Sequence, residues 1–138
     1  MGTDVRKLAA DGYPASNIYA CDLRQDFIDC GHELYQDVST CKIHFFASDI
    51  FKMPTTPDVS QDPESTGEVA RFGQLAGRVT HCYTGAVFHL FDEYTQYVLA
   101  TRIAGLVKHA SGTIIFGRHG GSKEAGLLDD LVFPFVSF

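Results

Sequence analysis

Residues 17–47 read NIYACDLRQDFIDCGHELYQDVSTCKIHFFA, and this stretch decides the fold. Its opening NIYAC is short, mostly apolar and closed by Asp22, the pattern of a buried strand. From residue 25 to 36 the period changes. Phe27, Gly31, Leu34 and Tyr35 recur at i, i+4, i+7 and i+8, which places them on one face of a helix. Residues 42–47, KIHFFA, read as the next strand, ended by Ser48 and Asp49. A strand, a helix and a strand in succession pair in parallel through a right-handed crossover.

The same alternation continues outward. Upstream, Val5, Leu8 and Ala9 share a helical face, and Gly12 followed by Pro14 closes that helix. Downstream, VTHCY at 79–83 predicts a strand, and Asp92 caps a helix that presents Leu99, Ile103, Leu106 and Val107. TIIF at 113–116 predicts a last strand, followed by GRHGG, and the chain closes on the apolar tail LVFPFVSF. Between about 52 and 77 the period fails. MPTTPDVSQDPEST carries Pro54, Pro57 and Pro63, which reads as a long loop inside one domain rather than a linker between two. The expectation is a single α/β domain over 1–138, built on a doubly wound parallel sheet.

Composition narrows the function classes. The chain has 138 residues, 45% apolar and 20% charged, with 11 Lys and Arg against 17 Asp and Glu and a net charge of −6. That balance supports a folded core. An acidic chain without a Lys/Arg cluster argues against nucleic acid as a partner. No apolar run reaches the roughly 18 residues of a membrane span, and the start MGTDVRKLAADG lacks the apolar core of a signal peptide. A cytoplasmic location is expected. Cys21, Cys30, Cys41 and Cys82 have no C-x2-C spacing, and His32 near Cys30 is the one suggestive pair. Reduced, buried thiols and no metal site are therefore expected.

In parallel sheets ligands sit outside the carboxyl ends of the strands. Asp22 lies at such an end, 20 residues after Gly2. An acid about 20 residues beyond a glycine turn can accept hydrogen bonds from a ribose hydroxyl pair. It can equally be a helix cap. Gly2, Thr3 and Asp4 precede a helix whose backbone N–H groups could receive a carboxylate or phosphate. Asp49 ends the following strand, where an acid could accept from an adenine amino group. In TGAVFHLF, Gly85 and Ala86 would let a ligand approach the backbone. Phe88, Leu90 and Phe91 fit a core better than a substrate site. His89 could be a general base or a structural histidine. GRHGGSK lacks P-loop spacing and reads as a loop able to fold over a substrate.

The segments GTDVRKLAADGYP, NIYACDLRQDFIDCGHELYQD, FFASDIF, TGAVFHLF and TIIFGRHGG resemble fungal class I S-adenosylmethionine-dependent methyltransferases of meroterpenoid and polyketide biosynthesis, in the family's order. The resemblance implies a Rossmann-like sheet and S-adenosylmethionine as cofactor. It implies a small-molecule secondary metabolite as the partner, O-methylated, with a carboxylate as one acceptor. By the same resemblance Gly2 is the last glycine of the cofactor loop and Asp22 the ribose acid, with Leu23 against the adenine. Asp49 and Ile50 read the adenine ring and its amino group, and Gly85 and Ala86 line the methionine end. His89 becomes the base if the acceptor is a hydroxyl.

The family's pattern also differs here. It has a strand and acid-x-G-x-x-G glycines before the position of Gly2, Asp in many relatives at Thr80, and a proline-glycine turn where this chain has KHASGT. The sheet is thus expected to be incomplete, without its first strand and C-terminal hairpin, and a homodimer across the open edge is one consequence. The alternatives are a truncated, non-catalytic relative that binds a metabolite or a partner, and a nicotinamide-dependent oxidoreductase. The oxidoreductase would carry a complete glycine fingerprint, which this sequence lacks.

Overall fold

A computed structural model describes residues 2–53 and 69–120. The centre of the expected loop, 54–68, and everything from 121 onward, including Lys123 and the apolar tail, lie outside the described residues. The elements run α1 (Thr3–Ala10), β1 (Tyr19–Asp22), α2 (Gln25–Tyr35), β2 (His44–Ala47), β3 (His81–Gly85), α3 (Glu93–Leu106) and β4 (Ile114–Arg118), with 3-10 turns at Ala15–Asn17, Ile50–Lys52, Phe72–Leu75 and Phe88–Leu90. Helices and strands alternate as the sequence predicts.

The deciding stretch folds as β1–α2–β2. Its strands pair in parallel, with Tyr19 opposite His44 and Asp22 opposite Ala47. β3 and β4 form a second parallel pair, from His81 opposite Ile114 to Gly85 opposite Arg118. Among the described residues the two pairs remain separate two-stranded sheets. β1 and β2 are shorter than expected, β3 runs two residues further along the chain than expected, and β4 extends to Arg118. Residues 17–18 are spent on a 3-10 turn and its exit, so β1 begins only at Tyr19. Val79 makes a lone bridge to Val107, because the N–H groups of Gly77, Arg78 and Val79 are taken by the carbonyls of Gly105 and Leu106. Those carbonyls sit at the end of α3, where no intrahelical donor is available, and the incoming chain satisfies them.

The core lies between the first strand pair and α3. Phe46, Met53, Leu75 and Leu106 are buried together, with Cys21, Ile50, Phe72 and Val79 packed around them. On α3, Leu99, Ile103 and Leu106 are buried, and Val107 just beyond is buried too, the face read from their spacing. The Asp92 carboxylate caps this helix by accepting from the Thr95 N–H at 2.7 Å. On α2 the expected face is corrected. Ile28 and Gly31 are buried, whereas Leu34 is 72% exposed and Phe27 and Tyr35 are exposed. The reason is that two arginines use those rings as platforms: Arg24 lies over Phe27 and Arg6 over Tyr35. α1 buries none of its residues, and β4 is exposed along its length. The four thiols are free but not buried as expected: Cys21, Cys41 and Cys82 are half-buried and Cys30 is exposed.

Candidate functional site

The strand-end residues divide between the two pairs. At the end of β1, Asp22 accepts from the Arg24 N–H at 3.1 Å, and its carbonyl accepts from Ser48 N–H at 3.0 Å. Asp22 and Asp49 are thus brought to adjacent strand ends, since Asp22 pairs opposite Ala47, two residues before Asp49. Asp49 accepts from the Phe51 N–H at 2.9 Å and caps the 3-10 turn Ile50–Lys52. Both acids therefore carry a local turn-capping bond. Leu23 projects beside Asp22 and is 68% exposed, an apolar surface next to a carboxylate. Ile50 is turned the other way and packs on the core cluster.

Gly2 is the N-cap of α1 at φ +82°, in the left-handed region. A Cβ there would lie 2.8 Å from both Arg6 Nη1 and Phe45 Cε1. The need for glycine is therefore explained by packing within the chain.

Gly85 ends β3, and Ala86 follows at φ +55°, an uncommon conformation for a residue with a Cβ. The strain is held by a 2.7 Å bond from the Ala86 N–H to the Arg118 carbonyl. His89 lies in the 3-10 turn Phe88–Leu90, and its Nδ1 accepts from the Gly120 N–H at 3.4 Å. In neutral imidazole the proton then sits on Nε2, so His89 ties the loop after β3 to the loop after β4.

Three side chains that the sequence reading did not select organise this end of the molecule. Arg102 of α3 donates from Nε to the Ile50 carbonyl at 3.0 Å and from Nη2 to the Phe51 carbonyl at 2.8 Å, pinning the turn that carries Asp49. A single cation inside the apolar stretch VLATRIAGLV was the available signal. Arg6 bonds both carboxylate oxygens of Asp37, at 2.6 and 3.1 Å, beneath Tyr35 and Phe45. Tyr83 donates to Asp4 at 3.2 Å across 79 residues of sequence, and no local pattern announces such a pairing.

His32, Asp37 and Cys41 converge so that their ligand atoms lie within 4.8 Å of one another. The Arg6 guanidinium already engages both Asp37 oxygens, so a cation is in place there. The same guanidinium, with help from His32, holds the Asp37 carboxyl well below the usual carboxylate range. The neighbouring cleft, lined by Arg6, Tyr35, Asp37, Cys41 and Lys42 among others, includes none of the strand-end candidates.

Comparison with known proteins decides the relationship. O-methyltransferase phiE of a fungal species is 32% identical over 126 residues, 91% of this chain and 37% of that protein. O-methyltransferase atr3 of Stereocaulon alpinum is 36% identical over 119 residues, 86% of this chain and 30% of its own length. The chain is a homologue of fungal secondary-metabolite methyltransferases. Asnovolin E/Chermesin D methyltransferase nvfJ of Aspergillus novofumigatus is 32% identical over 118 residues, 86% of this chain and 37% of that relative. This methyltransferase homologue thus spans 30–37% of the length of these three relatives. No protein-family model matches it, and no solved structure does. Among its described residues no helix is long and apolar enough to cross a membrane.

Proposed function

We propose that this chain forms part of the cofactor site of an S-adenosylmethionine-dependent methyltransferase acting on a small-molecule secondary metabolite by O-methylation. The observation that carries the reading is homology to fungal methyltransferases over 86–91% of the chain. The donor set at the strand ends suits the cofactor. Two carboxylates on neighbouring strands offer acceptors for a ribose hydroxyl pair and an adenine amino group, and exposed Leu23 offers an apolar surface for the base.

In this reading Asp22 holds the ribose, Asp49 and the backbone at Ile50 hold the adenine, and Gly2 faces the cofactor at the start of α1. Arg102 fixes the turn that presents Asp49. Gly85 and Ala86 border the methionine end. Bound there, the cofactor supplies an electrophilic methyl group on a sulfonium. The protein's task is to align an acceptor oxygen with it and to exclude water. A carboxylate acceptor needs no base. A hydroxyl acceptor would pass its proton to His89, whose Nδ1 accepts from the Gly120 N–H at a long 3.4 Å.

Isothermal titration with S-adenosylmethionine tests this directly, and Asp22→Ala should abolish the heat. Binding of unchanged affinity in that variant would refute the ribose assignment. The alternative reading is a non-catalytic relative that binds a metabolite or partner. It predicts cofactor or metabolite binding without methyl transfer.

A further inference from the structure

The candidate residues stand on two strand pairs that share no sheet hydrogen bonds among the described residues, Gly2, Asp22 and Asp49 with the first and Gly85 and Ala86 with the second. A ligand that uses both sets depends on what fixes the distance between them. Arg102 ties α3 to the Asp49 turn, and the Phe51 and Phe91 rings meet edge to face at 5.3 Å on the same side. Between the start of α1 and the end of β3 a phenol forms a tie. Tyr83 Oη donates to Asp4 Oδ2 at 3.2 Å.

We infer that Tyr83 is a positioning residue that clasps α1 to β3 and so sets the span between the Asp22 and Gly85 halves of the site. This rests on the cofactor reading above.

Three observations place the phenol for that task. The Phe116 ring, on the adjacent strand, braces it at a centroid distance of 5.4 Å. A Cβ on Gly85 would meet Tyr83 Oη at 3.0 Å and its ring carbons at 3.2 Å. The ring therefore lies across Gly85, and glycine there is what lets it reach Asp4. Arg118 lies opposite Gly85 on β4, and the nearby Tyr83 and Asp4 hold its guanidinium above the ordinary value. Asp4 is in the first turn of α1, two residues from Gly2. Any movement of β3 relative to α1 must break this bond.

The discriminating property is ligand length. S-adenosylmethionine reaches both halves, whereas 5′-methylthioadenosine lacks the amino-acid end and uses the Asp22 and Asp49 half alone. Titration calorimetry of both ligands against wild type, Tyr83→Phe, Asp4→Asn and the double variant tests the clasp. Removing one hydrogen bond of this kind is expected to weaken S-adenosylmethionine about five- to tenfold, with 5′-methylthioadenosine changed by less than about twofold. The double variant should be no weaker than either single one, since both remove the same contact.

Unchanged affinity for S-adenosylmethionine in Tyr83→Phe overturns the inference and leaves the cofactor reading standing. Equal losses for the two ligands assign Tyr83 a general structural role and also overturn it. Additive losses in the double variant mean that Asp4 and Tyr83 act separately, which overturns it as well. If wild type binds no S-adenosylmethionine, the cofactor reading itself falls and the clasp falls with it.

Discussion

Asp37→Asn tests the charged contact that joins α1 to the residues just past α2. The Asp37 carboxylate accepts two bonds from Arg6 and one from His32 Nδ1 at 2.7 Å. The Arg6 guanidinium centre lies 4.7 Å from the centroids of both Tyr35 and Phe45. The Arg6 and Asp37 side chains are 10% and 19% exposed, so the pair is neither a fully screened surface bridge nor a dry interior one. Exposed ion pairs contribute roughly 0–1 kcal/mol, and a hydrogen bond to a charged group about 1.5–3 kcal/mol. A loss of about 2 kcal/mol is therefore expected near neutral pH. With a urea m-value of about 1–3 kcal/mol/M this moves the midpoint by about 1 M.

The pH dependence has a definite sign. The folded carboxyl titrates below its unfolded value, near 3.9, because Arg6 and His32 favour the anion. Its contribution is complete above the unfolded pKa and is lost as pH falls through the folded one. Urea unfolding of wild type and Asp37→Asn, followed by circular dichroism from pH 7 to pH 2, should show a constant gap down to about pH 5. The gap should narrow below about pH 4. A gap under about 0.5 kcal/mol at neutral pH, or one that persists undiminished at pH 2, would refute the reasoning.

Two further outcomes follow from burial. Leu99 is 2% exposed in the middle of α3, and Leu99→Ala should cost about 2–5 kcal/mol through lost transfer energy and the cavity left behind, read as a lowered melting temperature. Burial pushes the Cys21 thiol up to about 12, and Cys82 is raised for the same reason, whereas Cys30 is exposed. Iodoacetamide at pH 8 should therefore modify Cys30 in preference to Cys21 and Cys82, as peptide mass spectrometry would show. Early labelling of Cys21 would contradict its placement beside the core.

Elements whose signal is local were legible in the chain. The 17–47 stretch yielded a parallel β–α–β unit because strand and helix periods differ and Asp22 and Ser48 stop the strands. The α3 face and its Asp92 cap were legible for the same reason. The fold departs from the local period where another contact claims a residue. Phe27 and Tyr35 carry helical spacing, yet arginines cover them and they stay at the surface. Val79 has strand character, but its N–H answers the open carbonyls of α3.

The candidate site divides along the same line. The amino-acid sequence by itself determined which residues end strands, hence Asp22, Asp49, Gly85 and Ala86, because periodicity and turn chemistry act over a few residues. Tertiary structure alone decided what holds them. Arg102 reaches the Asp49 turn across about 50 residues, and Tyr83 reaches Asp4 across 79. Such contacts depend on packing geometry between elements, and spacing along the chain does not encode it. The glycines show this most plainly. Gly2 and Gly85 stand out in the sequence as places where a ligand could approach the backbone, and only the fold shows that Arg6, Phe45 and Tyr83 pack where a side chain would stand there.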